Sequence, residues 1–193
     1  MHPAEHRGLR ELHATARRQR EHWRTLARRL EAAAPEQAAL LAEGSDVARS
    51  LLGELSTVTA ARGLHGRPAA QGLGTRLASA QGALLDPALE VNQALRLAVL
   101  DVIHVVTLLD YLAVLAAADA DPELASFLDD WAARMRDQED AVRAAAIAIG
   151  GVPDTAIAAA APGIAGRVMH GAASAVGTLG EWVDRRAAQR QSE

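Results

Sequence analysis

The residues best able to support chemistry lie in the most apolar segment of the chain. Asp101 and His104 are three positions apart, so on a helix they share a face. Thr107, Asp110 and Tyr111 add polar groups to the same segment. A carboxylate and an imidazole at this spacing can bind a metal ion, form a buried hydrogen bond or line a pocket for a small molecule.

The metal-binding interpretation lacks part of its ligand set. A di-metal site in a helical bundle uses two carboxylate-x-x-His pairs together with carboxylates from facing helices. Asp101 and His104 supply one pair, and Glu139 could supply a further carboxylate. His170 does not complete a second pair, because Arg167 stands three positions before it. We therefore favour a buried hydrogen bond between Asp101 and His104, and assign no catalytic, cofactor-binding or metal-binding residue and no cofactor.

The composition excludes several classes of site. The chain has 193 residues, of which 50% are hydrophobic and 23% charged, as expected of one folded domain spanning residues 1–193. It contains no cysteine, which rules out disulfides, thiolate metal sites and a cysteine nucleophile. The sequence shows no phosphate-binding loop, dinucleotide-binding motif or nucleophile elbow. These observations make an enzyme the less favoured interpretation.

The N-terminal 33 residues are basic, with eight arginines against four glutamates, although the whole chain carries a net charge of −4. At helical spacing, one face of this segment carries His6, Arg10, His13, Arg17, Arg20 and Arg24. Such a face can bind phosphates, or it can dock on the acidic remainder of this chain or of another copy. Because the segment has a single aromatic residue and no glycine-rich loop follows it, we favour a solvated or intramolecular face and do not expect nucleic-acid binding.

Helix-forming residues dominate the chain, and proline and glycine punctuate it at regular intervals. The pattern predicts an all-α fold, an antiparallel bundle of four to six helices. Residues 1–33 would contain a basic amphipathic first helix, 63–86 a loop with a short weak helix, 87–149 a central helical hairpin, and 163–189 a glycine-rich last helix. The individual helices are predicted at residues 4–33, 36–62, 69–84, 87–119, 122–149 and 163–189.

Apolar residues recur at helical spacing in each long segment. The predicted stripes comprise Leu9, Leu12, Ala16, Trp23, Leu26 and Leu30; Leu40, Val47, Leu51, Leu55 and Val58; Leu124, Leu128, Trp131, Met135, Val142 and Ile149; and Ile164, Val168, Ala172, Ala175, Leu179 and Trp182. The segment after Pro87 is apolar nearly all round, which places it at the centre of the bundle. The last segment either packs closely on a neighbour through its glycines or breaks near Gly171 or Gly177.

The most apolar stretch, residues 95–118, is long enough to cross a membrane. It nevertheless contains Arg96, Asp101, His104 and Asp110, whose side chains are costly in lipid. We therefore expect a helix buried in protein and no membrane contact. The N-terminal segment has no apolar core of the kind found in secretory signals, so we expect a cytoplasmic protein.

One part of the chain resembles a known family. The stretch that begins Asp121-Pro122-Glu123-Leu124 and runs to Ala146, after a long apolar helix, is similar to the helical hairpin of ferritin-like proteins. Members of that family typically bind two irons through glutamates and Glu-x-x-His pairs. Only Asp101-Val102-Ile103-His104 approaches such a pair, and ligand positions of the later helix are taken by Trp131, Arg134, Met135 and Gln138. The resemblance implies a ferritin-like bundle without the usual metal chemistry.

These observations favour a non-enzymatic helical bundle that acts by association, as a homo-oligomer or as a subunit of an assembly. The first and last helices would form its interface with a protein partner. Two alternatives stay open. One is a ferritin-like metal-dependent oxidoreductase or metal-binding protein that uses Asp101, His104 and Glu139. The other is a bundle that binds a small molecule in a pocket lined by Asp101, His104 and Tyr111.

Overall fold

The computed structural model describes residues 2–64 and 89–160, and within these ranges the regular structure is helical. The predicted all-α fold class is therefore confirmed. The predictions for 69–84 and 163–189 lie outside the described residues. The elements are α1 (Pro3–Leu30), α2 (Pro35–Ala61), α3 (Val91–Ala118) and α4 (Pro122–Ala148), followed by a 3-10 turn (Ile149–Gly151) and the one-turn α5 (Pro153–Ala156).

The helix starts follow from local sequence. Proline occupies the first position of α1, α2 and α4, where its missing N–H and fixed φ cost nothing. At the start of α4, the Asp121 carboxylate also accepts a hydrogen bond from the Leu124 backbone N–H at 3.0 Å. At the start of α3, Glu90 and Gln93 form a reciprocal capping box. Each long helix therefore begins at a position that the sequence itself marks.

The predicted start of α3 at residue 87 is wrong. The helix begins at Val91, because the residues just before it pair with the chain that follows α5. Ala160 N–H donates to the Leu89 carbonyl at 2.9 Å, and Val91 N–H donates to the Ala158 carbonyl at 3.0 Å. These bonds hold Leu89 and Glu90 extended. The first helix also ends at Leu30, earlier than the predicted residue 33.

The core is built largely from the predicted stripes. All six stripe residues of α1 and all five of α4 are buried, as is Ile149 just beyond α4. In the later part of α2 the prediction is correct for Leu51 and Leu55. In the earlier part, the buried residues lie one position after the predicted ones. There Leu41 and Ala48 are buried, whereas the predicted Leu40 and Val47 are only partly buried.

Within the described part of the chain, each long helix has two main neighbours. Helix α1 packs against α2 and α3, and α4 packs against α2 and α3. Every helix in such a ring keeps an outward face. Among the helices of residues 2–64 and 89–160, α3 is therefore not the central one as predicted, since its residues Leu100 and Val114 are 61% and 70% exposed.

Residues near the start of α1 contact residues near the end of α3, and residues further along α1 contact residues nearer the start of α3. The His2 backbone N–H donates to Asp119 Oδ2 at 2.8 Å, just beyond the end of α3. Towards the other end of α1, His22 meets Asp101. The contacts between α2 and α4 follow the same order. Arg62, just after the end of α2, bonds to Asp121, just before the start of α4. Gly44, nearer the start of α2, lies beside Gln138, which is further along α4.

The interactions of Asp121 make the stability of the folded protein depend on pH. The hydrogen bond from Arg62, at 2.5 Å, and then the bond from the Leu124 N–H hold the pKa of Asp121 below its ordinary value. A pKa lower in the folded than in the unfolded chain contributes stability above the unfolded pKa of about 4. That contribution is lost as the pH falls through the folded value.

We therefore expect Asp121→Asn, which keeps the helix cap, to lower the free energy of unfolding by up to about 1 kcal/mol at neutral pH. The difference from wild type should shrink as the pH falls from neutral through the lowered folded pKa of Asp121, because the wild-type carboxylate then becomes protonated. Urea unfolding of both proteins over a series of pH values from neutral into the acid range measures this. A deficit that stays equally large across the series would contradict the expectation.

Candidate functional site

Asp101 faces α1. Its Oδ2 atom lies 2.6 Å from His22 Nδ1, and the side chains of Asp101 and His22 are only 17% and 22% exposed. Because a carboxylate accepts, Nδ1 of His22 carries the hydrogen. This largely buried bond joins α1 to α3, and sequence reasoning missed His22 as the partner.

His104 lies on the outside of α3. Its side chain is 45% exposed, with Nε2 at 3.8 Å from Glu11 Oε1. Arg18 Nη2 lies 3.4 Å from its Nδ1. Since arginine only donates, Nδ1 accepts and the ring hydrogen is on Nε2. The predicted hydrogen bond between Asp101 and His104 is therefore wrong: α1 supplies a different histidine to Asp101, and His104 points to solvent.

The other candidate residues do not converge. Asp110 accepts a hydrogen bond from Arg136 of α4 at 2.5 Å, and Glu139 pairs with Arg143 of its own helix. The Thr107 hydroxyl donates to the Ile103 carbonyl at 2.8 Å. Across residues 2–64 and 89–160, no group of three or more histidine and acidic side chains is placed to hold a metal ion.

The predicted basic face of α1 is only partly exposed. Arg10, Arg17 and Arg24 reach solvent, and Arg17 forms an ion pair with Glu21 at 3.0 Å. Burial lowers the pKa of His13, and the positive charge of Arg17 lowers it further. Both effects favour the neutral imidazole of His13 and so reduce the positive charge that it adds to this face.

The most distinctive surface in the described part of the chain is a row of side chains along α3. We call it the outward stripe and define it as Leu97, Leu100, His104, Thr107, Tyr111 and Val114. Its apolar members are large and exposed, with exposed fractions of 37% for Leu97, 61% for Leu100, 50% for Tyr111 and 70% for Val114. The steps between members are three, four, three, four and three residues, which is the spacing of a coiled-coil seam.

The outward stripe explains why α3 resembles a membrane span. Val91–Ala118 is the one helix in the described residues that is long and apolar enough to cross a bilayer, by length and composition. However, 44% of its most apolar window is buried inside the protein. Its apolar character thus has two sources, a core-facing side and an exposed side.

Searches of protein-family models, curated proteins and solved structures give no significant match to this chain. The ferritin-like resemblance stays a prediction. The function is therefore inferred from the geometry of the chain itself.

Proposed function

We propose that this protein is a non-enzymatic helical bundle that works by associating with another protein chain through the outward stripe of α3. The proposal rests on the exposure of four large apolar side chains at coiled-coil spacing. Surfaces of this kind on soluble proteins mark sites of interaction, because leaving them in water costs free energy that docking recovers. The alternating steps of three and four residues suit a partner helix.

The proposed architecture is an antiparallel bundle of the four long helices. It is supported by the order of the cross-helix contacts, which run in opposite directions for α1 with α3 and for α2 with α4. It is also supported by the brief connections after Leu30 and after Ala118. Such a bundle places α3 between α1 and α4.

The side chains near the stripe support binding better than catalysis. Asp101 is engaged by His22, and Asp110 by Arg136. His104 is the exposed imidazole on the stripe, and it lies beside Arg18 and Glu11. The stripe therefore presents one imidazole flanked by apolar side chains, and such a surface is suited to bind the side of a partner helix.

Size-exclusion chromatography of native extract tests the proposal without assuming a partner. We expect the protein at its natural abundance to elute in a species larger than the 20.3 kDa of one chain. Leu100→Glu should elute as a single chain, because a carboxylate in the middle of the stripe would be buried on docking.

Ala42→Glu provides the matched control, since Ala42 is exposed on α2 and lies outside the stripe. It should elute with the wild type. Elution of the wild type as one chain, or co-elution of Leu100→Glu with it in a larger species, would overturn the proposal.

A further inference from the structure

The outward stripe reads the same in both directions. From Leu97 to Val114 its members are two apolar residues, two polar residues and two apolar residues. The steps of three, four, three, four and three residues are also symmetric. A row with this symmetry is complementary to itself when rotated by a half-turn, which is the requirement of a two-fold interface.

We infer that the chain associating through the stripe is a second copy of this protein, with the two α3 helices packed antiparallel about a two-fold axis between His104 and Thr107. This inference rests on the proposed function and names its partner. In this register Leu97 lies opposite the partner's Val114, and Leu100 opposite the partner's Tyr111. His104 then meets the partner's Thr107, and each layer occurs twice.

The two polar residues decide between possible partners. His104 Nδ1 already accepts from Arg18, so its Nε2–H is the group left to donate, and Glu11 Oε1 lies beyond hydrogen-bond distance from it at 3.8 Å. The Thr107 hydroxyl donates to Ile103, and a hydroxyl that donates once can still accept. His104 is thus a donor and Thr107 an acceptor, and the antiparallel pairing places them together.

Other arrangements leave these groups without suitable partners. A parallel pairing would set His104 against the partner's His104, donor against donor. A wholly apolar helix from a different protein would bury His104 and Thr107 without the hydrogen bond that compensates for their lost water. The antiparallel pairing of two copies satisfies both groups and keeps the apolar residues in contact with one another.

The contact is a single helix face about 26 Å long from Leu97 to Val114, at about 1.5 Å per residue. An interface of this extent is small, so we expect the purified dimer to dissociate when it is diluted well below its concentration in the extract.

Cysteine pairing tests the register directly, because the chain has no cysteine of its own. Two variants, Leu97→Cys and Val114→Cys, are prepared with tags of different size. In the proposed dimer, positions 97 and 114 of different copies share a layer, whereas two copies of the same position lie about 26 Å apart. A disulfide requires Cα atoms within about 7 Å.

On mild oxidation we expect a disulfide-linked dimer in the mixture of the two variants and none when either is oxidised separately. Arg49→Cys, at an exposed position on α2, should form no link with either stripe variant. Linking of each variant to itself would indicate parallel pairing and overturn the inference. If the mixture does not link, a second copy does not dock on the stripe in this register, which also overturns it. The proposed function would survive that result if Leu100→Glu still disrupts the larger species in extract.

Discussion

Replacing Gly44 with alanine is expected to lower the free energy of unfolding by about 3 kcal/mol. A Cβ atom at this position would lie 2.1 Å from Cζ3 and 2.5 Å from Cε3 of the Trp23 ring, and 3.0 Å from Gln138 Oε1. Trp23 is fully buried, and its rigid ring cannot bend away from the added methyl group. Relief requires α1 and α2 to separate, although at this level Ser45 also bonds to the Arg20 carbonyl. Urea unfolding followed by circular dichroism measures the loss.

Gly53→Ala is the matched control, because Gly53 lies in the interior of the same helix and a Cβ atom added there would have nothing within 4 Å. Helix propensity then acts without a steric clash, and the substitution should stabilise the protein by about 0.5–1 kcal/mol. The two changes are chemically identical and should have opposite signs. Equal effects of the two substitutions would show that Trp23 does not press on Gly44.

Gln19→Met is expected to raise the free energy of unfolding by about 1–3 kcal/mol. Gln19 is fully buried in α1, and within the described part of the chain neither its amide nitrogen nor its amide oxygen has a hydrogen-bond partner. Folding therefore removes the amide from water without replacing its hydrogen bonds. Methionine has a similar length and flexibility and fills the space without that cost. Thermal and urea unfolding of the variant and wild type measure the gain.

Gln37→Met serves as the control, since Gln37 is only partly buried on α2. Its amide keeps access to water, so the substitution should change stability by less than about 0.5 kcal/mol. A loss of stability in Gln19→Met would mean that the buried amide is satisfied in solution and that the methionine breaks those bonds.

The sequence predicts the faces of α1 and α4 well because their apolar residues form narrow stripes among charged ones. Trp23 and Trp131 are buried where the pattern places them. The same reasoning fails for α3, which is apolar on most of its circumference. The periodicity of apolar residues identifies the buried side of an amphipathic helix. A helix that is apolar on nearly all sides has no such periodicity, so its buried side cannot be identified from sequence. Its outward exposure depends on how many neighbours pack around it, which is a tertiary property.

The candidate site shows the same limit. The spacing of Asp101 and His104 places them about one turn apart on the same helix. It contains no information about which residues of α1 lie against them. His22 became the partner of Asp101 through the relative shift of α1 and α3 along their axes. Gly44 gave no signal either, because a helical glycine that accommodates a tryptophan ring looks the same in sequence as Gly53, which accommodates nothing.

The connections between helices have a consequence for how the chain acquires its structure. Residues 31–34 join α1 to α2 and residues 119–121 join α3 to α4, so two of the helix–helix contacts form between neighbours in sequence. Closing such short loops loses little chain entropy, whereas bringing α1 to α3 must close a much longer loop. Local contacts of this kind are associated with rapid folding. We therefore expect each sequential pair to assemble early, and the docking of one pair on the other to limit the folding rate.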